Sequence, residues 1–213
     1  SPTQKVGGQI NEAFSKIKHL HPMLSLSNAF SAEDLRAFDV RIKKEAPSAT
    51  YVLEPKVDGL AASVRYEKGK LTFGITRGDG TTGEDVTNNI KTIQTLPFML
   101  SEPLDLEVRG EVYLPKKRFQ AINEDRLKNG EQLFKNPRNA AAGTMRQLDA
   151  SLAKKRGLEI VLYSLGSVED LKGNTHMETL GKMKDLGLPS QGYAKHYDSM
   201  ESVIKGVQDF EEN

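Results

Sequence analysis

Glu54, Lys56 and Asp58 alternate through Glu-Pro-Lys-Val-Asp-Gly at 54–59. Side chains repeat every second residue along an extended backbone, so this spacing predicts all three on one side, with Pro55 and Val57 on the other. Ionisable groups gathered in that way beside a glycine suit a pocket. They equally suit an exposed strand edge, where Pro55 is tolerated because a ladder needs no donor from it. In the pocket reading Lys56 is a nucleophile. A lysine attacks only as the free amine, a form that desolvation and neighbouring cations such as Arg77 favour and that nearby carboxylates oppose.

The surrounding pattern predicts strands to hold this stretch. Residues 51–54 read as extended, and residues 60–66 and 71–76 flank a turn at Lys68-Gly69, which makes a β-hairpin. The charged run R-G-D-G-T-T-G-E-D at 77–85 reads as a loop that breaks the sheet, with Gly78, Gly80 and Gly83 supplying unusual backbone shapes. A short helix is expected at 86–93 and a strand region at 104–113. Pro115 fits the first turn of a helix whose apolar face includes Phe119 and Ile122, with Gly130 as its stop. The segment 136–143 reads as a turn feeding a short helix, and 158–165 as a buried strand. Late helices are expected near 176–186 and 199–211, the second with Met200, Val203, Ile204, Val207 and Phe210 on one face.

Ahead of these, residues 1–9 read as a linker. Ile10, Ala13, Phe14 and Ile17 have helical spacing that Pro22 closes. Ser31 with Asp34 reads as a capping box, and Phe30 with Leu35 as its hydrophobic staple. Antiparallel strands mixed with helices, without regular βαβ alternation, predict an α+β fold with an antiparallel-sheet-rich core and peripheral helices.

Composition excludes more than it selects. No cysteine is present, so disulfides, thiolate nucleophiles and cysteine-ligated zinc are all ruled out. His19 and His21 lie beside the turn-like Pro22 and read as a surface segment, while His176 and His196 stand alone. None of the four histidines suggests a zinc site, which needs three or four converging ligands. No apolar run approaches the roughly 20 residues that cross a bilayer, and there is no signal-like start, so a cytoplasmic location is the expectation. Lys and Arg number 30 against 29 Asp and Glu, so overall charge announces no nucleic-acid partner. The middle third is nonetheless biased to basic residues, from Lys116, Lys117 and Arg118 through Arg138 and Arg146 to Lys154, Lys155 and Arg156. That bias suits contact with a phosphate backbone, or simply a solvated helical surface.

The Lys-x-Asp-Gly form at 56–59 resembles the signature of covalent nucleotidyltransferases. Further segments occur in order: S-P-T-Q-K-V-G-G at 1–8, P-M-L-S-L-S-N-A-F at 22–30, T-R-G-D-G-T-T-G-E-D-V-T-N-N at 76–89, V-R-G-E-V at 108–112 and N-P-R-N-A-A-A-G-T-M-R-Q-L-D at 136–149. Together they resemble the adenylation domain of bacterial NAD-dependent DNA ligases across nearly the whole chain. The resemblance implies an ATP-grasp-like nucleotidyltransferase core. Residues 1–50 would be its N-terminal linker and helical segment, and 51–213 a partial core that stops before the family's C-terminal motifs.

It also implies roles. Lys56 takes AMP from NAD with release of nicotinamide mononucleotide, assisted by Asp58, and the AMP then passes to the 5′-phosphate of nicked double-stranded DNA. Glu54 reads the adenine amino group, with Ser25 and Leu26 beside the base and Tyr163 stacked on it. Arg77 approaches the ribose and phosphate, and Glu111 holds the ribose hydroxyl and helps to place Mg²⁺. Arg138 and Arg146 contact the nick. As an isolated segment the chain is expected to bind AMP weakly and neither to react efficiently with NAD nor to seal nicks. Two other classes fit fewer residues: another covalent nucleotidyltransferase, against which T-R-G-D-G-T-T-G-E-D argues, and a non-enzymatic nucleic-acid-binding module.

Overall fold

A computed structural model describes residues 14–166, 171 and 173–211. Its centre is an antiparallel sheet of four strands in the order β4-β3-β6-β7. These are β3 (Leu60–Glu67), β4 (Lys70–Thr76), β6 (Leu106–Tyr113) and β7 (Glu159–Leu165). The β3–β4 hairpin forms where expected. Lys68 and Gly69 take φ values of 49° and 77°, the two left-handed positions a tight two-residue turn needs.

Pairing register divides the sheet into unlike faces. Ala62, Val64 and Tyr66 on β3, Leu106, Val108 and Val112 on β6, and Ile160 and Leu162 on β7 are buried together. Helices cover that face: α2 (Thr87–Ile90), α4 (Pro137–Met145), α5 (Ala150–Arg156) and α6 (His176–Asp185) contribute Ile90, Ala140, Ala141, Met145, Ala153, Leu180 and Met183 to the same core. The alternate residues point the other way. Ala61, Ser63 and Arg65 on β3 lie opposite Glu111, Arg109 and Glu107 on β6, so the second face is polar and charged. Glu111, one of the expected site residues, lies on this face.

Caps explain where several helices begin. Asn136 accepts a hydrogen bond from the Asn139 amide, and Pro137 follows at the first turn of α4, where its missing N–H costs nothing. α3 (Lys116–Lys128) starts after Pro115, and Gly130, at φ 69°, terminates that segment as expected. A second, smaller cluster joins α1 (Ala32–Glu45), β2 (Tyr51–Leu53), β8 (Lys195–Tyr197) and α7 (Met200–Glu211). Met200, Val203 and Ile204 of α7 pack there against Leu35, Tyr51 and Leu53 with Val207 beside them, which accounts for the apolar stripe read from the sequence as far as Val207; Phe210, expected on the same face, is exposed.

Several local expectations are overturned. Residues 1–13 lie outside the described residues, but Lys16–Lys18, the end of the expected helix, forms β1 and pairs antiparallel with β5 (Thr82–Glu84). Ile17 lies opposite Gly83, so long-range pairing has replaced local helical spacing. For the same reason the 77–85 run is not wholly loop. Ser31 does cap α1 through the Asp34 amide, whereas the Asp34 carboxylate accepts from the amide of Phe30. Phe30 is 88% exposed, so the staple to Leu35 does not form; Leu35 packs toward α7 instead. Neither α5 nor β8 was read from the sequence. The fold is α+β with antiparallel sheets.

Candidate active site

Lys56 sits on a strap, residues 54–58, that runs between β2 and β3 without being a strand itself. Lys56 and Asp58 are exposed and Glu54 is half-buried. The strap is tied at several points. The Gln191 side-chain amide donates to the Pro55 carbonyl at 2.7 Å, and the Arg138 guanidinium lies 3.6 Å from Asp58. At its end Gly59 presses on β6: a Cβ there would lie 2.1 Å from the Val112 carbonyl oxygen. The glycine of the motif is therefore a steric requirement, because any side chain would push the strap off the sheet.

Glu111 lies within electrostatic reach of Lys56 near the end of this strap. It occupies the polar face of β6 opposite Ala61. Burial raises the pKa of its carboxyl, and Lys56, the Gly59 N–H, Arg138 and Arg77 act in the opposite direction. Three separate chain segments, the strap with Lys56 and Gly59, the Arg77 loop and α4 with Arg138, thus act on one carboxylate. Tyr163 comes from β7, where the register slips by one residue between Arg109 and Gly110. Such a bulge re-aims side chains, and Tyr163 lies within electrostatic reach of Glu111, Arg109 and Arg77. Its phenol pKa is raised, chiefly by burial.

A cavity of about 410 Å³ opens beside this cluster, lined by Lys16, Arg77, Asp79, Glu84, Arg138 and Arg146 among others. Arg77 is placed by its backbone: its N–H donates to Ala61 O at 3.0 Å, and its carbonyl accepts from Gly80 N at 3.0 Å and pairs with His19 Nε2 at 3.1 Å. Arg146 is placed by Asn89, whose buried side-chain amide donates to the carbonyls of Met145 and Gln147, both at 2.8 Å. A larger cavity, about 820 Å³, lies near the hairpin turn around Leu20, Arg65, Lys68 and Met99 and contains none of the expected site residues.

The structure brings Lys56, Asp58, Arg77, Glu111, Arg138 and Tyr163 to one place, with Arg146 in the adjoining cavity. Ser25 and Leu26 lie on an exposed stretch, Leu26 at 76%, and no hydrogen bond among the described residues joins them to Glu54. Sequence reasoning misjudged two histidines. His19, read as surface, is 4% exposed and bridges Arg77 O to Ser63 Oγ. His176, read as isolated, holds Glu54 Oε2 at 2.7 Å. His196 has Asp198 at 3.7 Å. The roles of Asn89 and Gln191 were missed as well. Only the buried placement of Asn89 marks it, and no local pattern announced Gln191.

A lysine on a strap, a carboxylate and three arginines beside a cavity of this size make a site suited to holding a phosphorylated ligand near an amine. The chain belongs to the family described as NAD-dependent DNA ligase adenylation domain, whose model matches residues 11–213. Over 212 residues it is 48% identical to a DNA ligase of Bacillus subtilis (strain 168), an alignment that covers 99% of this chain and 32% of that relative. The chain therefore spans about a third of the length of the curated relative it matches.

The nucleotide implied by that family fits what is present. Glu54 Oε1 is buried without a hydrogen-bond partner while Oε2 is held by His176, so one acceptor remains free inside the protein. An exocyclic amine satisfies such an atom, and an unpaired buried acceptor otherwise carries a desolvation cost. A divalent cation has less to hold it. No group of three or more histidine or acidic side chains among the described residues is placed to bind one. Nor is any helix among them long and apolar enough to cross a membrane.

Proposed function

We propose that this segment carries AMP on Lys56 within an NAD-dependent DNA ligase. The observation that carries the reading is the convergence of Lys56, Arg77 and Arg138 on Glu111. The Lys56 Nζ lone pair attacks the adenylyl phosphorus of NAD. The bond from that phosphorus to the bridging oxygen breaks, the electron pair leaves with nicotinamide mononucleotide, and the amine gives up a proton as the phosphoramide forms. In the second transfer an oxygen of the DNA 5′-phosphate attacks the same phosphorus, and the P–N bond breaks to return the amine.

The residues divide this work. Glu54 Oε1 accepts from the adenine amino group and Tyr163 offers its ring to the base. Leu26 and Ser25 reach the base from the 22–30 stretch. Arg77 neutralises phosphate charge that grows in the transition state, which is where stabilisation accelerates the reaction. Glu111 accepts from the ribose hydroxyl. Asp58, beside Arg138, takes part in placing Lys56 and its proton. Arg138 and Arg146 meet the phosphates of a nicked duplex. Mg²⁺ in such chemistry is held by one or two carboxylates together with substrate phosphates, and Glu111 would be the protein's share. A nucleotidyltransferase core of the ATP-grasp-like kind and a bacterial cytoplasmic location accompany this reading.

The test is direct. The chain is grafted into the Bacillus subtilis ligase in place of the matching segment, exposed to NAD and Mg²⁺, and analysed by mass spectrometry. AMP is expected on Lys56 and absent from the Lys56→Ala graft; covalent AMP persisting in that variant would refute the assignment. The ungrafted chain is expected to react far more slowly.

A further inference from the structure

His176 stands alone along the chain, yet its ring closes onto the carboxylate of Glu54, two residues before Lys56. His176 begins α6 immediately after its cap, Thr175, and Nε2 lies 2.7 Å from Glu54 Oε2. An ionised carboxylate only accepts, so Nε2 carries the hydrogen. A positively charged imidazole is disfavoured at a helix N-terminus, where the macrodipole presents its positive end. The ring is nevertheless held there by Glu54, whose hydrogen bond is the largest influence on it and raises its pKa.

Geometry gives the two carboxylate oxygens different tasks. Oε2 is occupied by His176, and Oε1 is buried with no partner. A carboxylate with both oxygens free can rotate and offer either one. With one oxygen clamped, the other keeps a fixed direction, and a preset acceptor costs a ligand no reorganisation. Clamping also occurs at the strap itself, since Gln191 holds the next carbonyl, that of Pro55. Glu54 is therefore fixed through both its side chain and its backbone neighbour by residues from α6 and the segment after it.

We infer that His176 is a positioning residue that aims Glu54 Oε1 at the purine 6-position, and so makes the site prefer a 6-amino to a 6-oxo purine nucleotide. The inference rests on the adenylate-pocket reading proposed above. A 6-amino group donates to Oε1. A 6-oxo group brings a second acceptor against it, and that mismatch leaves both atoms unpaired. Without His176 the carboxylate turns toward solvent, the fixed acceptor is lost, and the penalty against the oxo group falls with it.

The experiment measures binding of AMP and of inosine monophosphate to this chain by calorimetric or chemical-shift titration at neutral pH. Wild-type protein, His176→Ala, His176→Leu and His176→Gln are compared, each first checked for an intact melting transition. The wild type is expected to prefer AMP. The alanine and leucine variants are expected to lose about tenfold of that preference, the factor that about 1.4 kcal/mol carries, mainly through weaker AMP binding. Glutamine keeps an N–H donor near the Nε2 position and is expected to hold the preference within about threefold of wild type. A merely structural role would weaken both nucleotides alike and leave their ratio unchanged. An unchanged ratio in the alanine and leucine variants, or a ratio lost equally in the glutamine variant, overturns the inference and leaves the pocket reading standing. A wild-type chain that binds neither nucleotide, or does not prefer AMP, overturns both.

Discussion

Replacing Gly59 with alanine puts a methyl group where the backbone of β6 already stands. The new Cβ would lie 2.1 Å from Val112 O and 3.1 Å from Glu111 Cγ, whereas ordinary contact starts at 3.4 Å. The strap must therefore move away from β6 by about 1.3 Å, or β6 must move by that amount, and the obstacle is a backbone carbonyl rather than the end of a flexible side chain. Because Val112 faces Leu60 in the ladder, the shift also disturbs the first pairing of β3. Overpacking of this kind costs about 1–3 kcal/mol. For a domain of this size each kcal/mol lowers Tm by roughly 2–4 °C. Lys56 rides on the same strap, and a misplacement of about 1 Å at a reacting group costs on the order of a hundredfold in rate. The measurement pairs thermal unfolding of the Gly59→Ala chain with single-turnover adenylation by the grafted ligase. A Tm within about 1 °C of wild type, together with a rate within about twofold, would refute the claim that this glycine is a steric requirement.

Three further outcomes are expected. Glu54→Gln replaces the carboxylate whose hydrogen bond, together with its charge, raises His176, so an NMR titration should find the His176 pKa lowered toward the ordinary 6.5. The sign for stability follows: the wild-type pair contributes fully below that unfolded value and fades as pH rises through the raised folded one, and the variant should lose this dependence. Glu111→Gln should leave Tm equal or higher at neutral pH while weakening nucleotide binding. Burial raises the Glu111 pKa, so the folded state loses stability as pH climbs through the raised value and the carboxylate ionises; a Tm that falls in the variant at neutral pH would contradict this. Arg138→Ala and Arg146→Ala should each weaken binding of the grafted ligase to nicked duplex without regard to base sequence and shrink the salt dependence by about one unit of slope; an unchanged slope in both would remove them from the DNA-contacting surface.

Much of the frame was legible because it rests on local rules. The Lys68-Gly69 turn, the Ser31 cap, the Gly130 stop after α3 and the apolar stripe of α7 as far as Val207 each announce themselves within a few residues. The strap was legible in part: its ionisable residues were found, but 54–58 is irregular rather than a strand. Lys16–Lys18 was misread because helical spacing in the sequence competes with a partner strand at 82–84 that no local window contains.

For the site, the sequence by itself determined the chemistry on offer: an amine between carboxylates at 54–58, arginines at 77, 138 and 146, and an ordered set of segments that fixed the family. Tertiary structure alone decided which of these groups share a place. It brought Glu111 within electrostatic reach of Lys56, slipped β7 by one residue at Tyr163, buried His19 behind Arg77 and closed His176 onto Glu54. The physical reason is range. Turns and caps are settled by neighbours along the chain, whereas the partner of a buried charge is settled by which distant segments must come together to cover the sheet.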